Sequence, residues 1–146
     1  MYLVTDAVLN PDILTNAAMQ ETNGAVITFL GVVRRQSRGN LVEYLEYEAY
    51  PEMAEKKMAE IGDEVRQRWP IEFVGVHHRT GRMEVGDVSL VVVVGSPHRK
   101  EAFEAAQYCV DRIKEVVPIW KKEVWEGGEV WIEGDIPTKT AEAPKS

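Results

Sequence analysis

Apolar residues along this chain follow two rhythms, and those rhythms lay out the elements. Residues 24–33 (GAVITFLGVV), 71–78 and 89–94 (SLVVVV) are dense in β-branched and apolar side chains, and each predicts a strand. The last of them is apolar almost without a break, which predicts a central strand covered on both faces. Gly31 inside the first predicts a bulge or a close backbone approach. Residues 41–49 (LVEYLEYEA) alternate apolar and acidic positions, the pattern of a half-exposed strand. Residues 2–9 predict a short edge strand, and 119–125 with 129–132 predict a hairpin turning at Glu126-Gly127-Gly128.

The second rhythm is helical. Asn10-Pro11-Asp12 opens a short helix through about Gln20. From Pro51 to about Arg68, the residues Ala54, Met58, Ile61, Val65 and Trp69 recur at spacings of three and four, and Pro70 stops the pattern. The stripe Ala102, Phe103, Ala106, Cys109, Val110, Ile113 and Val117 predicts a main helix from Pro97 to about Val116, with Ser96 as its N-cap. Pro118 ends it. Residues 34–40 (RRQSRGN) predict a mobile polar loop, and Thr80-Gly81 with Gly86-Asp87 bracket a short connection. From Pro137 onward (PTKTAEAPKS) the composition predicts a disordered tail, which leaves residues 1–136 as the domain. Strands and helices in mixed order, with hairpins, predict a single α+β domain with a largely antiparallel sheet.

Composition narrows the classes. A chain of 146 residues, 45% hydrophobic and 28% charged, suits one soluble domain with a sizeable core. No apolar run approaches the roughly 20 residues of a membrane span, and the first residues lack the basic start and apolar stretch of a secretory signal. Net charge is −7, which argues against a nucleic-acid partner and makes local basic clusters more informative. The single cysteine, Cys109, excludes an intramolecular disulfide and fits a reducing compartment, so a cytoplasmic protein is expected. Its place on the apolar stripe of the main helix points to core packing rather than to a reactive thiol. His77, His78 and His98 form no metal-ligand pattern with it, and there is no Gly-rich phosphate loop, so neither a metal nor a cofactor is expected.

The basic clusters carry the candidate chemistry. His98 and Arg99 stand at a helix start, where the dipole disfavours cations, so they point to a bound anion, most simply a phosphate. Two solvated side chains at a helix start are the plainer alternative. Lys114 lies at the edge of the apolar stripe, and an isolated lysine there is ordinarily a surface group with a buried stem. Lys121 and Lys122 follow Pro118 on a strand, so their side chains point to opposite faces and at most one shares a pocket with Lys114. The same restriction holds for Arg34 and Arg35. His78-Arg79 fits an exposed pair at a strand end. Trp120, Trp125 and Trp131 fit core or interface aromatics. Residue physics alone leaves the reaction open.

Six segments together carry a family resemblance: FLGVVR at 29–34, LEYEAY at 45–50, MAEKKMAEI at 53–61, HRTG at 78–81, SPHRKEAFEA at 96–105 and DRIKEVVPIWKKE at 111–123. In this order they resemble the large-subunit family of molybdopterin synthase, MoaE. The resemblance implies an α/β hammerhead fold and a sulfurtransferase. The substrate would be cyclic pyranopterin monophosphate, converted to the dithiolene of molybdopterin. Sulfur would come from a small ubiquitin-like partner (MoaD-like) whose C-terminal Gly-Gly tail ends in a thiocarboxylate. The assembly would be a homodimer of large subunits within a heterotetramer. By motif position the resemblance makes Lys114 and Lys121 the catalytic candidates. It gives Arg34, His98 and Arg99 to the substrate, with Arg38 on the adjacent loop as a further binding candidate. It also leads one to expect a basic residue soon after the Trp131 strand, but the chain reads Glu133-Gly134-Asp135, and its next cation is Lys139. A non-catalytic anion-binding or partner-recruiting module on the same fold is the competing reading, and the intact Lys114, Lys121, His98 and Arg99 favour the enzyme.

Overall fold

A computed structural model describes residues 1–134 in full and, beyond them, the main chain of Ile136–Glu142. The elements run β1 (Tyr2–Thr5), α1 (Pro11–Ala18), β2 (Ala25–Val32), β3 (Gln36–Ser37), β4 (Asn40–Ala49), α2 (Pro51–Arg68), β5 (Phe73–Arg79), β6 (Gly81–Glu84), β7 (Val88–Ser96), α3 (Arg99–Val116), β8 (Ile119–Trp125), β9 (Gly128–Glu133) and β10 (Ile136–Glu142). They form two sheets. The first has the order β1-β5-β7-β2, with β1 parallel to β5 and the other pairs antiparallel. The second runs β10-β9-β8-β4-β3, with β6 also on β4, and is antiparallel throughout. The expected α+β class and largely antiparallel pairing are observed.

The apolar run of β7 is buried on both faces, and its alternation divides the core. Leu90, Val92 and Val94 face Met58, Ile61 and Val65 of α2 and Ala105, Ala106, Cys109 and Ile113 of α3. Val91 and Val93 face the other way, against Leu14 and Ala18 of α1. Met58 and Leu14 are fully buried, and each withdraws roughly 1.5–3 kcal/mol of apolar surface from water. Gly31 is the bulge that the strand pattern predicted, since the β2–β7 register shifts between Gly31 and Val32.

Both long helices end for the same reason. The residue before a proline is pushed out of helical conformation. Trp69 before Pro70 and Val117 before Pro118 are both extended, and each closes its helix with a backbone hydrogen bond to the residue four earlier.

Three expectations need correction. Ser96 is not the cap of α3: it still pairs with Ala25 in the sheet, so α3 starts at Arg99 with His98 as its N-cap and Pro97 outside it. The loop at 34–40 contains a tight hairpin. Ser37 pairs with Asn40, and Arg38 and Gly39 take the two positive φ values, 50° and 79°, that such a two-residue turn requires. Residues 81–84 are a strand on β4 rather than a bare connection. The main chain of Ile136–Glu142 also pairs with β9, across part of the stretch assigned by composition to a tail, while 143–146 lie outside the described residues.

Candidate functional site

Strand register builds the site. On β8, Ile119, Lys121 and Glu123 point to one face, and Trp120 and Lys122 to the other. Lys121 stands between Tyr47 on β4 and Ile132 on β9, its direct partners in the two ladders. The C-terminal turn of α3 lies over this row. Together Tyr47, Lys121, Ile119 and Ile132 from the sheet, Ile113, Lys114 and Val117 from the helix end, and Gly134 enclose a cavity of about 70 Å³. The structure therefore brings the two predicted catalytic lysines to one cavity, from elements separated by the Pro118 break. Lys114 is exposed at its mouth, and Lys121 is half-buried. A cation in the last turn of a helix is favoured by the helix dipole, so Lys114 sits where its charge is stabilised. Lys122 points away and pairs with Glu46 at 3.0 Å and Glu129 at 3.5 Å, which raises its pKa.

The next inward residue of β8 after Lys121 is Glu123, only 3% exposed. Its Oε1 accepts hydrogen bonds from Arg38 Nη1 at 2.6 Å and Ser37 Oγ at 3.0 Å. These bonds latch the β3–β4 hairpin onto β8. Arg38 holds a left-handed backbone conformation that costs an ordinary residue roughly 1–2 kcal/mol, and its bond to Glu123 offsets that strain. Arg34 and Arg38 line an open cleft along this hairpin. One two-residue spacing of about 6.6 Å along β8 separates Glu123, where Arg38 is held, from Lys121.

His98 and Arg99 do not join either group within one chain. Both are exposed at the N-terminus of α3, and Lys114 is in its last turn. At about 1.5 Å of rise per residue, α3 sets Arg99 and Lys114 roughly 22 Å apart along its axis.

Sequence reasoning missed His78. Instead of an exposed strand-end residue, it is 5% exposed and meets the Tyr47 ring edge-on, with centroids 4.9 Å apart. Its Nδ1 lies 2.8 Å from the Arg79 carbonyl, which can only accept, so Nδ1 carries the proton of the neutral ring. Burial pushes its pKa down to about 4; the Arg79 bond opposes that shift and the Lys121 charge adds to it. Nothing in the strand's own residues marks it, because its ring partner Tyr47 comes from β4. Cys109 is fully buried as expected, and burial raises its thiol pKa to about 12. Among the described residues, no cluster of His, Cys, Asp and Glu could hold a metal ion, and no helix is long and apolar enough to cross a membrane.

A helix end set over a curled antiparallel sheet, with one lysine from each, defines an α+β protein with a cationic cavity suited to small anions. The chain belongs to the MoaE protein family, whose model matches residues 4–116. The molybdopterin synthase catalytic subunit of Halalkalibacterium halodurans is 52% identical over 115 residues, spanning 79% of this chain and 74% of that protein. The crystal structure of molybdopterin synthase from Staphylococcus aureus superposes with a TM-score of 0.85 at 44% identity, covering 89% of this chain and 95% of that one. A protein–protein complex of subunits 1 and 2 of molybdopterin-converting factor from Helicobacter pylori contains a chain of the same fold, with a TM-score of 0.72 at 19% identity, covering 89% of this chain and 88% of that one.

Proposed function

We propose that this protein acts as the catalytic subunit of a molybdopterin synthase. In this reading it moves sulfur from the thiocarboxylate of a small ubiquitin-like subunit to cyclic pyranopterin monophosphate, and no cofactor takes part. The observation that carries the reading is the shared cavity of Lys114 and Lys121. At about 70 Å³ it is far below the roughly 300–1,000 Å³ of pockets for larger organic ligands. A side-chain-free Gly-Gly terminus suits that space, and two ammonium groups suit its anionic end. One lysine would hold the thiocarboxylate and stabilise negative charge as sulfur attacks the pterin side chain. The other would serve as general acid or base while the cyclic phosphate opens and water leaves. Arg34 and Arg38, in the cleft along the β3–β4 hairpin, would hold the pterin and its phosphate.

His98 and Arg99 belong to this scheme through the homodimer. A second copy must present them, because α3 keeps them a helix length from Lys114 of their own chain. Mixing a Lys121→Ala chain with a His98→Ala/Arg99→Ala chain should restore part of the turnover that each lacks alone. No restoration in proven mixed dimers would return both groups to separate roles.

The decisive experiment is reconstitution with a thiocarboxylated small subunit and the cyclic pterin monophosphate, followed by mass spectrometry for the dithiolene. Product that requires all three components is expected. Binding of a small subunit already shown to be active with another large subunit, without product, would overturn the enzyme reading in favour of a scaffold.

A further inference from the structure

Gly134 follows β9 and lies against the C-terminal turn of α3. Its φ is 60°, in the left-handed region that favours glycine. A Cβ there would overlap the main-chain carbonyl oxygen of Lys114 and crowd its carbonyl carbon. The obstacle is backbone, so no side-chain rotation relieves it. This turn of the helix is held by few bonds: the last four carbonyls of a helix lack helical donors, and here Ile113 O takes the Val117 N–H at 3.1 Å as the chain turns away. Gly134 also lines the lysine cavity. The other glycine at a comparable turn, Gly127 in the β8–β9 hairpin, has φ 91° and open space where a Cβ would stand. The two therefore share backbone strain and differ in what they touch.

We infer that Gly134 is a positioning residue for Lys114: the missing side chain lets the chain leaving β9 close on the helix end, and that closure sets where the Lys114 amine stands relative to Lys121. The inference rests on the proposed role of the lysine cavity only for its effect on turnover. Its effect on lysine geometry stands without that role. A displacement of about 1 Å at a reacting group can lower a rate by about a hundredfold. A Cβ at Gly134 can be accommodated only by moving the strand end or the helix turn.

The test compares Gly134→Ala with Gly127→Ala. Competitive acetylation read by mass spectrometry gives the reactivity of the Lys114 and Lys121 amines, and reconstituted turnover gives kcat and KM. Gly134→Ala should lose more thermal stability than Gly127→Ala, because its Cβ meets backbone where that of Gly127 meets open space. Only Gly134→Ala should change Lys114 acetylation, by about twofold or more, and lower kcat by about tenfold or more with little change in the KM for the small subunit. Acetylation and kinetics matching those of Gly127→Ala would overturn the inference and leave Gly134 as a turn glycine. Altered acetylation with unchanged turnover would support the positioning and count against Lys114 as a catalytic group. An alanine variant that does not fold while Gly127→Ala does would make Gly134 a requirement of the fold itself and overturn its reading as a positioning residue.

Discussion

The imidazole of His78 meets the ring of Tyr47 edge-on, at 4.9 Å between centroids and 70° between planes, so a titratable group stands directly behind one wall of the lysine cavity. This arrangement makes stability depend on pH. Burial lowers the His78 pKa to about 4, against an ordinary 6.5. Between those values the unfolded chain binds more protons than the folded one, so stability rises with pH across this window and is complete above about 6.5. The expected loss from His78 between pH 7 and pH 5 is about 2 kcal/mol. Urea unfolding at both pH values should show it, and His78→Asn should flatten the pH slope relative to the parent. Equal slopes in the two proteins would mean that His78 takes up its proton without penalty.

Lys121 and Lys122 are neighbours with opposite duties. Lys121→Ala should lower turnover by about a hundredfold or more while moving the melting temperature by about 2 °C or less. Lys122→Ala should leave turnover intact and cost roughly 0.5–1 kcal/mol through lost contacts with Glu46 and Glu129. Reconstituted assays beside thermal melts check both, and near-normal turnover in Lys121→Ala would remove its catalytic assignment.

The Arg38–Glu123 pair lends itself to a double-mutant cycle. Removing Arg38 leaves a buried carboxylate with Ser37 as its remaining hydrogen-bond donor among the bonds described above. Because Arg38 is itself 39% exposed, the cost of Arg38→Ala should be about 1–2 kcal/mol rather than that of a fully buried pair. Arg38→Ala combined with Glu123→Gln should cost less than the sum of the singles, by about 0.5 kcal/mol or more. Strict additivity in chemical denaturation would show that the hairpin is not latched through this pair.

Cys109 should be dispensable for chemistry. Cys109→Ala should keep full turnover and lose about 1–2 kcal/mol of stability from the cavity it leaves. In the folded protein the thiol should resist a disulfide reagent at pH 8 and react only on unfolding, because burial holds its pKa at about 12. Loss of turnover in a stably folded Cys109→Ala protein would contradict the partner-supplied sulfur of the proposed mechanism.

Most elements were legible in the sequence because their burial is one-sided or complete. The β7 run and the stripes of α2 and α3 record those patterns in residue type, except that Phe103, counted in the α3 stripe, is exposed and Ala105 is buried instead. Strand β6 was not legible: GRME has one buried residue, Met83, and pairs because β4 offers an edge. The start of α3 was misread because Ser96 is a good cap chemically, yet its backbone is already engaged with Ala25. For the site, strand parity already limited Lys114 to one of the two adjacent lysines. Which of them faces the cavity depends on the β4–β8–β9 register, a tertiary fact. The burial of His78 was hidden for the same reason, since its neighbour Tyr47 lies 31 positions earlier in the chain, on the other sheet.

The alternation of β8 has an evolutionary consequence. Adjacent lysines have the same chemistry, yet one faces the cavity and the other is tied to two carboxylates on the opposite face. Inserting or deleting one residue between Pro118 and Lys121 would exchange their places and turn Glu123 out of its buried socket, with composition barely altered. The stretch between helix end and strand should therefore tolerate substitution of its apolar residues far better than any change in its length.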